Sequence, residues 1–107
     1  MPITKSGSVE GFERAPGVTI KTLTDGDRMM LLEVHIAAGA VVAMHTHPHE
    51  QTGRLQSGRM RFEIGDETHD LEAGDAWIIP ADVPHEATGL EECVAVEVFS
   101  PPREDYR

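Results

Sequence analysis

Three histidines fall within five residues, in the run His45-Thr46-His47-Pro48-His49-Glu50-Gln51. Imidazole is a metal ligand and a proton carrier near neutral pH, so such a cluster suits metal or acid–base chemistry. On an extended strand, side chains at i and i+2 share a face. His45 and His47 therefore point the same way, about 7 Å apart at Cα. Two imidazoles at that spacing can converge on one ion at about 2.0–2.1 Å each. The apolar residues Val41-Val42-Ala43-Met44 precede them, which places the pair at the end of a buried strand. A further histidine, His85, follows Pro80-Ala81-Asp82-Val83-Pro84, just after another short apolar run.

The elements that must position these residues read as strands. Met60, Phe62 and Ile64 alternate with Arg59, Arg61 and Glu63, a period of two. Further strands are expected at Met29–Ala37, Val41–His47, Gly53–Gln56, Thr68–Leu71, Ala76–Ile79, Pro84–Ala87 and Cys93–Phe99. Ser57-Gly58, Gly65-Asp66 and Glu72-Ala73-Gly74-Asp75 are the turns between them. No ten-residue stretch has helical periodicity, so an all-β sandwich or barrel is expected.

With 107 residues, there is room for one core. The expected organisation is an N-terminal arm and first strand over 1–28, a barrel over 29–100 and a C-terminal tail over 101–107. The net charge of −10 disfavours phosphate backbones, and no nucleic-acid partner is expected. Arg54, Arg59 and Arg61 form the one local basic group. No apolar run is long enough for a membrane span, and the N-terminus lacks the apolar core of a signal peptide, so a cytoplasmic protein is expected. Cys93, the single cysteine, lies in an apolar run and reads as a buried small hydrophobe.

The spacings Gly39-x5-His45-x-His47-x3-Gln51-x6-Gly58 and, fifteen residues on, Gly74-x5-Pro80-x4-His85 resemble both motifs of the cupin family, in order and separation. The resemblance implies a single jelly-roll barrel, the double-stranded β-helix, with a metal in its mouth. It implies His45, His47, Gln51 and His85 as ligands of one divalent transition metal (Zn, Ni, Fe, Cu, Co or Mn). Gln51 stands where the family has Glu, Asp82 where the second motif has Gly, and Gly89 where it often has Asn. A neutral amide beside three neutral imidazoles leaves the ion's charge uncompensated, which weakens binding but preserves Lewis acidity. His49 is placed outside the ligand set, as a pocket residue. His35, His69 and Glu50 are expected at the surface.

The closing segment Glu97-Val98-Phe99-Ser100-Pro101-Pro102-Arg103, together with His45-x-His47-Pro48-His49-Glu50-Gln51, resembles the pectin-degradation cupins more narrowly. Those proteins promote conversion of 4,5-unsaturated uronates to the linear keto form. The resemblance implies Glu97, Phe99 and Arg103 as catalytic residues, with Glu97 replacing an Asp, and a sugar acid as the small-molecule substrate. It also requires Glu97 and Phe99 to face the barrel interior; alternation alone does not choose between that face and the Val94, Val96, Val98 face. A homodimer is expected, with the valine face packing on the N-terminal arm or a partner subunit. A metal-dependent dioxygenase and a non-catalytic sugar-binding module are the alternatives on the same frame.

Overall fold

The computed structural model describes residues 2–107. Among them are ten strands: β1 Phe12–Ala15, β2 Val18–Asp25, β3 Met30–Ile36, β4 Val41–His45, β5 Glu50–Ser57, β6 Arg59–Ile64, β7 Glu67–Glu72, β8 Ala76–Ile79, β9 His85–Gly89 and β10 Cys93–Ser100. Two short 3-10 turns, Ser6–Ser8 and Glu104–Tyr106, flank them. The strands form two antiparallel sheets that enclose one core. One has six strands in the order β1-β2-β3-β10-β5-β8, the other four in the order β4-β9-β6-β7. This is the jelly-roll arrangement, all-β as the alternation predicts.

Period-two patterning decides what each strand buries. In β3 every second residue, Met30, Leu32, Val34 and Ile36, enters the core, and in β6 Met60 and Phe62 do the same. In β10 the buried set is Cys93, Ala95, Glu97 and Phe99. Val94, Val96 and Val98 take the outer face. Val96 and Val98 border a surface groove with Thr52 and Arg54, and Pro2 of the N-terminal arm borders a second groove with Leu31 and Val98.

Residues before Thr19 contribute more than an arm. Strand β1 pairs with β2 antiparallel, through a bulge between Glu13 and Ala15, and β2 pairs along the whole of β3. Gly11 before Phe12–Ala15 and Pro16-Gly17 after it hide so short a strand from sequence reading. The tail also folds back. Thr22 Oγ1 donates to the Tyr106 carbonyl at 2.5 Å, and Tyr106 packs on Phe12 and Phe99.

Two backbone positions fix the turns of the motifs. Gly58 has φ +79°, and a Cβ there would lie 2.2 Å from the Glu92 carbonyl oxygen, so no other residue fits. Asp82, at the position of the family's Gly, has φ 64°; among the described residues it is the non-glycine in the left-handed region. Asp tolerates that region better than most side chains, which is why the turn survives the replacement.

Candidate metal centre and adjoining cavity

Strand register brings the histidines together. A bulge between Val42 and His45 sets His45 directly opposite His85 across the β4–β9 pair. Cross-strand neighbours have Cβ atoms about 4.5–5.5 Å apart, and the two rings lie 4.3 Å centroid to centroid. His47 arrives differently from the strand-alternation expectation. Strand β4 ends at His45, and His47 sits in the link before Pro48, a residue that cannot extend a ladder. Its carbonyl accepts the Asp82 N–H at 2.9 Å, which ties the first motif to the second. The His47 ring then lies 4.8 Å from that of His85 and 5.5 Å from that of His45.

The backbone orients the three rings. Each Nδ1 faces a carbonyl: His45 with Ala43 at 2.8 Å, His47 with His49 at 3.0 Å and His85 with Val83 at 2.9 Å. Donation from Nδ1 leaves the Nε2 of His45 and His85 with a free lone pair. One nitrogen from each ring lies within 4.8 Å of the others. His85 Nε2 is buried without a hydrogen-bond partner. An orphaned buried acceptor is costly unless something occupies it, and a divalent ion at the centre of the three rings would do so. Burial pushes the His85 pKa down to about 4 and lowers that of His45, so both are neutral, ligand-competent imidazoles at pH 7.

Gln51 and Glu97 come from the other sheet. Gln51 pairs with Phe99 across β5–β10, and Gly53 pairs with Glu97, so Gln51 and Glu97 are diagonal neighbours. The Gln51 amide bridges two groups. Its Oε1 lies 3.0 Å from His47 Nε2, while its Nε2 donates to the Glu97 carboxylate. The oxygen, the only atom of the amide able to ligate, therefore faces the imidazoles. Glu97 is 8% exposed. Burial raises its pKa to about 7, against the opposing pull of the Gln51 hydrogen bond and the Arg103 charge.

His45, His85, Gln51 and Glu97 border one cavity with Phe99, Arg103, Arg14 and Tyr106, lined also by Leu32, Val34 and Phe62. Glu97 and Phe99 thus face the interior, the orientation that the uronate resemblance requires. The Arg103 guanidinium stacks over Tyr106 at 4.2 Å and lies 5.4 Å from the Phe99 centroid. Its Nη2 and Nε also donate to Asp105 at 2.9 and 3.2 Å.

His49 stays outside the three-histidine cluster. Its ring meets His47 and Phe99 edge-on at 5.5 and 6.3 Å, and its carbonyl, not its ring, supports His47. Arg14 and Tyr106 are the cavity residues that sequence reading missed. No spacing announces them, because each reaches the cavity through an end of the chain folding back onto the barrel.

Comparison with known proteins bears on this geometry. The cupin domain family matches residues 32–99. The chain belongs to the cupin family. It is 33% identical over 96 residues to the pectin degradation protein KdgF of Dickeya dadantii, covering 88% of this chain and 87% of that protein. The structure of KdgF from a Halomonas species superposes with a TM-score of 0.94 at 28% identity, covering 100% of this cupin and 99% of the other. An RmlC-like cupin from Shewanella frigidimarina shares the fold with a TM-score of 0.96 at 23% identity, over 100% and 96% of the two chains.

Proposed function

We propose that this cupin holds one divalent transition metal at His45, His47, Gln51 and His85 and converts 4,5-unsaturated uronates to their linear keto form. The observation that carries the reading is the Gln51 amide, oxygen toward His47 and nitrogen toward a buried Glu97. A proton-transfer group thereby sits beside the ligand cluster. The pectin-degradation relatives supply the substrate class.

A bound ion would supply Lewis acidity and positive charge. The rest falls to side chains. The net change is an isomerisation: the C1–O5 bond breaks, C1 becomes an aldehyde as O1 loses its proton, C4 gains a proton and C5 becomes a ketone. Glu97 takes the O1 proton and returns one to C4. A carboxyl whose pKa lies near 7 serves both directions at neutral pH. Phe99 closes the apolar side of the cavity, and Arg103 adds positive charge beside the substrate carboxylate.

The test follows the ultraviolet absorbance of 4,5-unsaturated galacturonate with and without a chelator. Chelator-sensitive acceleration of its loss is expected. No acceleration by metal-loaded protein would overturn the reading and leave ligand binding or oxygen chemistry in the same site. The proposal includes a homodimer built on the Val96 and Val98 face, for which light scattering should give twice the chain mass. It also includes a cytoplasmic location, checked by fractionation. Among the described residues no helix is long and apolar enough to cross a membrane.

A further inference from the structure

Two guanidinium groups border the cavity, and they differ in how they are neutralised. Arg103 already holds a carboxylate: Asp105 accepts from both Nε and Nη2, the two-point geometry that a substrate carboxylate would want. Arg14 comes from β1 and is half-buried. Its Nε donates to Tyr106 Oη at 2.7 Å, which fixes the orientation of the fork. Among the described residues no carboxylate forms an ion pair with it. In a chain with 19 acidic residues and nine basic ones, an arginine left unpaired at a half-buried position stands out. A partly desolvated guanidinium is stabilised by an anion.

We infer that Arg14 is the residue that binds the substrate's carboxylate. Its position on the cavity with His45, Gln51 and Glu97 lets one bound molecule reach the anchor and the reacting groups together. Arg103, held by Asp105 and stacked on Tyr106, keeps Tyr106 against Arg14 besides adding its own charge to the cavity. The inference rests on the uronate reading for the identity of the anion, while the anchor itself requires only a carboxylate.

The test compares binding of D-galacturonate with neutral D-galactose to metal-loaded wild type, Arg14→Gln and Arg14→Lys. Binding is read by NMR, including the arginine Nε–H signals. Turnover of 4,5-unsaturated galacturonate is measured beside it, and metal content and thermal midpoint report on folding. A preference for galacturonate is expected in wild type, falling about 10- to 100-fold in Arg14→Gln and less in Arg14→Lys, which keeps the charge. KM should rise with it while kcat changes little. A preference that survives in Arg14→Gln, or is absent from wild type, overturns the anchor. Loss of the preference in Arg14→Gln with no turnover by wild type keeps the anchor and removes the uronate reading. Turnover with an unchanged KM in Arg14→Gln does the reverse.

Discussion

The two sheets contribute opposite chemistries to one cavity. The four-stranded sheet supplies His45 and His85, with His47 from the link after β4: three imidazoles oriented by backbone carbonyls. The six-stranded sheet supplies Gln51, Glu97, Phe99 and Arg14: an amide, a carboxyl, an aromatic ring and a cation. On the proposed reading, one wall holds an ion and the other holds and protonates an organic molecule. They touch through Gln51, whose amide oxygen faces His47, and through Phe99, whose ring meets that of His47 edge-on at 5.3 Å. If the division is real, the two walls can be disabled separately.

The largest effect should come from the histidine wall. His45→Ala combined with His85→Ala is expected to remove the metal, and all metal-dependent turnover with it, while circular dichroism stays that of a folded barrel. Metal at one equivalent in that double variant would dissolve the distinction between the walls. Next comes the other wall. Glu97→Gln is expected to lower kcat by about 10²–10⁴ with metal content unchanged, measured by turnover beside elemental analysis. Arg103→Ala should also abolish turnover at full metal content.

The pH dependence of stability sharpens the contrast, because the walls titrate in opposite senses. In chelated protein, His85 takes up its proton near pH 4 when folded, against 6.5 for an ordinary histidine. The unfolded chain then binds more protons between those values, so its contribution to stability falls as pH drops from 6.5 to 4. Glu97 titrates near 7 when folded, against 4.5 ordinarily. The folded chain binds more protons across that window, so its contribution falls as pH rises from 4.5 to 7. Glu97→Gln should remove that alkaline loss, gaining on the order of 1–3 kcal/mol over wild type at pH 8 relative to pH 4.5 in denaturant titrations. A constant difference between the two proteins would place Glu97 in a more solvated setting than the cavity provides.

The smallest effect concerns the turn that joins the motifs. Asp82→Gly should leave metal binding intact and change stability by no more than about 1 kcal/mol, toward greater stability, because Gly adopts a positive φ without strain. Asp82→Val should cost about 1–3 kcal/mol, both variants being compared with wild type in denaturant titrations.

The two walls were unequally legible. The imidazole wall is written in motifs: His45, His47 and His85 stand at the spacings of the two cupin motifs, and pairing of β4 with β9 sets His45 opposite His85. The alternation of Arg59–Ile64 likewise exposes its strand. His47 reaches the cluster for a reason that spacing does not carry, since its strand has already ended and the Asp82 N–H holds its carbonyl. The other wall is written in tertiary register. Alternation separates Glu97 and Phe99 from the valines but cannot say which set looks inward. Arg14 meets Tyr106 only because both chain ends return to the barrel, and no pattern within either segment encodes that meeting.

The hydrogen bond from Asp82 to the His47 carbonyl also bears on when the site comes into being. The segments it joins lie on either side of β5 to β8, so the complete ligand set exists only after both sheets have closed. On the proposed reading, an ion that needs all four donors would be captured by the finished barrel, not by the growing chain. Loading would then be an event in the life of the folded protein, set by the medium that the closed barrel meets rather than by the one in which it was made.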